Sequence, residues 1–504
     1  MMKRIKIILF ASLVLVGASC KKFLEEHPTS FLQPTSDFGS FKAARAMANA
    51  PYAQLQGTLA GQASSYGGNT WDLMEFMTGK SNSDLGQTGF VNYQTLSYNT
   101  TSFYFDTWWQ RMYLGIGDAN LAIQTIPTIK AIGLTDSAKT NMLAEARTLR
   151  ALFYFFLVRM YGDVPNVTTV PTDIGTLKVK RSPAKNIYDS IIIPDLQYAA
   201  NSSLPWHDNT GLVSRGAVNA ILADVYLTYA GQPINGGANY YSLSAAVSKA
   251  VIDNGGYTLF PEYKDMINPA NKNKGEFILQ VQYSAAANVN NPLTALTIPN
   301  YSKISKYSDE YGSVFPTDQF LASYPAGDKR TQERQFYYSQ YPNIDGTGNV
   351  VFPHHYIYKW FDSVAVRSTA KSDLNYTLYR LADVYLMYAE ASNRAGGGPN
   401  ADAIKYVNAI RARANLMPTG ALSQDAFEHE VWLQRYFELA FENKMWFDML
   451  RTRKVHNDVT GNWDDFVGHK TVWGATFTTN QLLFPVPKQE TDVNPNLLPN
   501  NPGF

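Results

Sequence analysis

The sequence predicts a mainly α-helical protein built on tetratricopeptide-like helix–turn–helix repeats, with long irregular loops and a few short strands. Three observations predict it. Apolar residues recur at steps of three and four over most of the chain, the signature of helices with one buried face. A nine-residue string occurs twice, LADVYLTYA at 222–230 and LADVYLMYA at 381–389, and differs at one position. Two segments, 79–103 and 285–370, lack that periodicity and are rich in Asn, Gly, Ser and Tyr.

The elements follow in chain order. Lys3, Arg4 and Lys6 precede an apolar run at 7–16, too short to span a bilayer as a helix. Gly17, Ala18 and Ser19 are small, and Cys20 follows. That order resembles a bacterial lipoprotein signal peptide over 1–19, in which the Cys20 thiol is acylated; the usual leucine three places before the cysteine is Gly17 here. Loss of three basic residues with that peptide leaves 40 basic against 42 acidic. Residues 20–40, punctuated by Pro28 and Pro34, read as a tether. Helices are expected at 41–56, 104–126, 143–161 and 185–201. In 143–161, Leu149, Leu152, Phe153, Phe156 and Met160 share a face, Gly162 caps the end and Pro165 blocks continuation. Trp108 and Trp109, in a helical stretch with Tyr113, Ile116 and Leu121, read as core.

Each repeat string leads through a glycine-containing loop into a second amphipathic stretch, 242–253 or 401–414. Ala223 and Ala382 leave room for close helix approach, and such units must stack to bury their apolar faces. A long helix is expected at 425–452, with Arg435 and Glu438, and Asp448 and Arg451, as neighbours three apart. Short strands are expected at 277–283, 350–352 and 356–360. The organisation reads as an N-terminal helical region at 41–264 and a C-terminal region at 265–504 carrying the 285–370 insertion.

Composition sets outer bounds. Of 504 residues 45% are hydrophobic, which excludes disorder as the overall state. Lys and Arg number 43 against 42 Asp and Glu, so no broad basic footprint for nucleic acid exists. Cys20 is the single cysteine, which excludes an intramolecular disulfide and a cysteine metal site. Tyr, at 32, outnumbers Phe, at 27, and a ring with a polar tip suits stackable polar ligands.

No catalytic motif stands out: HExxH, GxSxG, Walker A and GxGxxG are all missing. His354 and His355 are adjacent in a β-like segment, where successive side chains point to opposite faces, so they do not share a metal. Asp458, Asn462, Asp464 and Asp465 form an acidic loop whose spacing matches no established calcium site. It reads as a solvated turn, and no cofactor is assigned. Glu438 and Glu442 are read as ion-paired and solvated and not as a glycosidase pair, which needs carboxylates facing across a cleft.

A polar, stackable ligand needs aromatic platforms together with Asn, Gln, Asp or Arg donors and acceptors. The two irregular segments hold both. The candidate ligand-binding residues are Trp71, Tyr93, Tyr98 and Asn99 in or beside the first, and Tyr301, Tyr307, Tyr311 and Trp360 in the second.

The blocks AEARTLRALFYFFLVRMYGDVP (144–165), NYTLYRLADVYLMYAEASNRAGG (375–397), AIKYVNAIRARANL (403–416), QRYFELAFENKMWFDMLR (434–451) and FPVPKQETDVNPNLLPNNPGF (484–504) together resemble the SusD/RagB family. FLEEHPTS after Cys20 resembles that family's mature N-terminus. The resemblance implies a SusD-like fold and an outer-membrane lipoprotein of Bacteroidota, lipid-anchored and surface-exposed. It implies a non-enzyme that captures glycans, or in some branches peptides, for a SusC-like TonB-dependent transporter, with a glycan site built from loop aromatics. A lipid-anchored hydrolase and a helical scaffold remain the alternatives.

Overall fold

The computed structural model describes residues 39–59, 71–86, 88–171, 178–308 and 310–504. The signal-peptide reading, the tether and Cys20 lie outside them.

The helices form one stacked layer in which each packs on the next. Helix Phe41–Leu59 lies against Phe103–Thr125 and Asp136–Tyr161. Asp136–Tyr161 is capped by Thr135, whose side chain accepts from Ala138 N, and ends at Gly162 with φ +70°. Ile193–Ala200 bridges it to Arg215–Ala230. The stack continues through Ala238–Asn254 and Leu381–Gly396 to Ala401–Arg413 and Gln424–Glu438. The two repeat strings thus lie in helices that sandwich the second helix of the first unit.

The small repeat positions behave as expected. Ala223 and Ala382 are fully buried, and Ser244 Oγ donates to Ala223 O at 2.8 Å across a close helix contact. The repeat aspartates are buried as well. Asp224 accepts from the Tyr379 hydroxyl at 2.7 Å, and Asp383 accepts from Arg435 and Lys444, each at 2.8 Å. Burial would raise the Asp383 carboxyl, but the Lys444 and Arg435 cations hold it at about 2.

Strands are short and paired in twos. Phe277–Val281 runs antiparallel to Tyr376–Arg380, which feeds directly into the second repeat helix. The expected pieces at 350–352 and 356–360 belong to one strand, Asn349–Ile357, antiparallel to Tyr337–Pro342. Their side of the hairpin covers a separate apolar cluster of Ile298, Ile304, Phe315, Tyr338, Phe352 and Phe361.

Two helix expectations need correction. Within 185–201 the helix passes through a π turn at Tyr188–Ile192, because Pro194 lacks the N–H that regular pairing requires. The 425–452 span is two helices, Gln424–Glu438 and Met445–Thr452. Phe441 and Asn443 between them take φ of +61° and +55°, which ends the first helix.

That break serves a buried ion network. Glu438 accepts from Arg380 at 2.8 Å, Arg413 at 2.7 Å and Arg330 at 3.4 Å. Glu442 accepts from Arg380 at 2.8 Å and from Lys359, and Glu276 binds Arg380 and Arg413. Burial alone would raise the Glu438 carboxyl; the guanidiniums of Arg413, Arg380 and Arg330 hold it well below the usual range. Glu438 and Glu442 are therefore paired but not solvated, and Arg435 bonds Asp383 and Asp448 and not Glu438. Asp448 and Arg451 do pair, at 2.8 Å.

Candidate ligand-binding site

Most candidate aromatics lie inside the protein. Trp71 is fully buried in helix Trp71–Met77, and Tyr93 and Tyr98 belong to an aromatic cluster with Tyr104, Phe105 and Phe504. Tyr93 lies on helix Thr88–Gln94, so part of the 79–103 segment is helical. Trp360 stacks on Tyr376 at 5.3 Å and donates to Phe441 O. These four side chains correct the expectation of exposed loop platforms. Loop aromatics have no period, and here they fill gaps between elements that the helical faces leave open. Asn99 is exposed, but its Oδ1 accepts from Thr101 N and Oγ, which closes a turn. Tyr307 and Tyr311 are half-buried.

Tyr301 is different. Its side chain is 80% exposed, the most exposed tyrosine or tryptophan in the described residues. Its backbone sits at φ +47°, and Lys303 follows at +61°. Such angles cost energy for residues with a Cβ and persist only where the surroundings enforce them. The enforcer is Glu310. Its buried carboxylate accepts from Ser302 Oγ, from the N–H groups of Lys303, Ile304 and Ser305, and from Ser305 Oγ, at 2.7–3.1 Å. Arg367 holds the same loop from below by donating to Ile304 O and Pro342 O.

Asp84 joins this loop to the first irregular segment. Its Oδ2 accepts from Asn300 N at 3.1 Å and from the Tyr356 hydroxyl at 2.8 Å, and its N–H donates to Gly312 O at 2.8 Å. A Cβ on Gly312 would lie 2.1 Å from Asp84 Oδ2, so only glycine fits there. Strand Ser81–Asn82 pairs with Phe315–Pro316 beside it, and His354 stacks on Phe315 at 5.1 Å. His355, on the other strand face, is exposed.

The two irregular segments thus meet in one rim, where Asp84 binds Asn300, the residue before Tyr301, and Asn82 pairs with Phe315, on which His354 stacks. Of the candidate residues, Tyr301 stands at this rim with its ring free. Asn82, Asp84, Asn300 and His354 were not among the candidates; an Asn-Ser-Asp run inside an aperiodic segment was the available signal. The acidic loop at 458–465 is satisfied by residues around it, and the Asp458 side chain is buried, against the expectation of a solvated turn: Asp458 bonds Lys80 and Tyr436, Asp464 bonds Asn457 and His469, and Asp465 bonds Lys454.

The stacked helical-repeat layer, with its two irregular segments joined at one rim, defines a mainly helical, SusD-like fold. The SusD family model matches residues 218–504, and the chain belongs to that family. A second family model, described as starch-binding associating with outer membrane, matches residues 22–227. SusD-like protein P2 of Formosa agariphila is 28% identical over the whole of both chains. A solved SusD superfamily protein from Parabacteroides distasonis is 46% identical, with a TM-score of 0.88 over 92% of this chain and 99% of that one. A laminarin-binding SusD-like protein shares the fold at 22% identity, with a TM-score of 0.75 over 92% of this chain and all of the other.

Proposed function

We infer that the protein captures glycans at the outer-membrane surface without cleaving them, and passes them to a SusC-like TonB-dependent transporter. The observation that carries the reading is Tyr301, an exposed ring held in a strained backbone by a dedicated carboxylate, next in the chain to Asn300, which Asp84 binds. An aromatic face with amides and a carboxylate at its edge meets both the C–H face and the hydroxyls of a sugar. The family's starch-binding description and its laminarin-binding member favour the same ligand class. The carboxylates a hydrolase reading would use, Glu438 and Glu442, are buried under guanidiniums. Acylated Cys20 is the anchor in this reading.

Affinity electrophoresis against starch, laminarin and xyloglucan, with a casein digest as the peptide comparison, tests the reading. Retardation by a polysaccharide that Tyr301→Ala removes supports it. Binding of the peptides alone, or shortened products after long incubation with contaminants excluded, overturns it. Cys20→Ala in a host lacking the transporter should release the protein from the membrane fraction; retention there refutes the anchor.

A further inference from the structure

A second groove lies apart from the rim and uses no residue of 79–102 or 285–360. It is about 460 Å³ in volume, within the usual range for a binding cleft. One side is helix Phe103–Thr125, the other the C-terminal segment around Lys488–Val493. Its walls are largely apolar: Leu114 is 53% exposed and Val493 70%, and Val167, Val179, Trp109 and Tyr113 also line it. The apolar strip runs on to Leu121, two turns along the same helix face, and Val170 beside it donates its N–H to Gln124.

Glu490 lines this groove, and Asp106 stands one helical turn before Gln110, which also lines it. Asp106 accepts from Gln110 Nε2 through both oxygens at 3.1 Å, and the Gln110 and Trp109 side chains partly offset the burial of Glu490. The nearby cations are engaged elsewhere: Lys488 binds Asp492, and Arg181 donates to Asp163 O, Tyr161 O, Pro499 O and Asn501. Tyr113 donates to Pro165 O. No described Lys or Arg forms an ion pair with Asp106 or Glu490. Burial raises both carboxyls, and the Asp106 charge adds to the rise at Glu490. Two carboxylates that repel each other beside exposed aliphatic walls are complementary to one cation on an apolar stem.

We propose that this groove docks an extended segment of a partner protein, aliphatic and carrying one Lys or Arg, whose cation sits between Asp106 and Glu490. The aliphatic neighbours of that cation cover Leu114 and Val493. The Lys or Arg stem follows the groove wall, and its charge takes the place of the missing counter-ion.

Fluorescence anisotropy with the full chain and two labelled probes, Leu-Val-Lys-Val-Leu and Leu-Val-Glu-Val-Leu, tests this at low ionic strength. The Lys probe is expected to bind about tenfold or more tightly than the Glu probe, a difference that the double variant D106N/E490Q removes. Binding of the Lys probe weakens as pH falls and the two carboxyls protonate. Leu114→Arg, at an exposed position, abolishes binding with an unchanged melting temperature. Equal binding of both probes, no binding at about 1 mM, or Lys-probe affinity unaltered in D106N/E490Q each overturns the proposal.

Discussion

The Tyr356 hydroxyl donates to Asp84 Oδ2 at 2.8 Å across 272 residues of sequence. Burial raises the Tyr356 hydroxyl above its ordinary value, and the Asp84 charge raises it further, so the phenol stays a donor throughout the physiological range. The same oxygen takes the N–H of Asn300, the residue before Tyr301. Asp84→Ala leaves a buried hydroxyl unpartnered, at about 1–3 kcal/mol, and frees the Tyr301 loop from the first segment. Glycan retardation and the melting temperature should both fall. A variant that binds as wild type separates the rim from the ligand site.

Tyr301 and Trp360 should respond in opposite ways. Tyr301→Ala removes an exposed ring, so the melting temperature holds while glycan affinity falls by roughly 5- to 150-fold, taking base–aromatic stacking at about 1–3 kcal/mol as the guide. Trp360→Ala opens a cavity next to Tyr376 and costs about 3–5 kcal/mol of stability. Thermal melts run beside affinity electrophoresis distinguish the two; a stable Trp360→Ala with weakened binding would reverse the assignment.

Glu438→Gln should be among the most damaging substitutions in the chain. The carboxylate offsets three guanidiniums at positions sealed from water. Removing one partner of such a network leaves uncompensated buried charge, at about 3–5 kcal/mol. The depressed Glu438 pKa carries stability that is present above the ordinary carboxylate range and disappears in acid. Urea unfolding at neutral pH measures the first effect. A Glu438→Gln midpoint close to wild type would mean that the network is hydrated.

The helical layer was legible because a buried helix face repeats every three to four residues, and Leu149 through Met160 announced theirs. The repeat strings gave the stacking for the same reason. The break after Glu438 was not legible, because helical pattern continues through Phe441 and Asn443; it is held by distant residues, with Lys359 and Arg380 pairing Glu442 and donating to Glu438 O, and Glu75 accepting from Asn443 N. The rim was legible as two segments and not as residues. Tyr93, Tyr98, Trp360 and Tyr301 look alike in an aperiodic sequence, and only the neighbours tell a ring that fills a gap from one held outward. Asp84 reaches Asn300 across 216 residues, a distance local pattern does not report, and Glu310, close in sequence to the loop it holds, sits in a stretch without periodicity.

Glu75 offers a pH test of the core. It is buried in helix Trp71–Met77 and accepts from Asn443 N at 2.9 Å. Burial raises its pKa from 4.5 to about 8, against the lowering effects of that hydrogen bond and of Lys359. Between those two values the unfolded chain releases a proton that the folded chain keeps. Stability contributed by this group is therefore complete below 4.5 and is lost as pH rises towards 8, by about 1.4 kcal/mol per pH unit at most. Asp72, raised by burial and then by the Glu75 charge, pulls in the same direction. Glu75→Gln keeps an oxygen for Asn443 N and stays neutral at every pH, so it lacks this slope. The melting temperature of Glu75→Gln relative to wild type should climb steadily from pH 5 to pH 8. Titrating groups that do not feel Glu75 are common to both proteins and cancel in that difference; Asp72 keeps its burial effect in the variant and loses only the part due to the Glu75 charge. Parallel curves would mean that Glu75 ionises at its ordinary value inside the fold, which would require water to reach it beside Asn443.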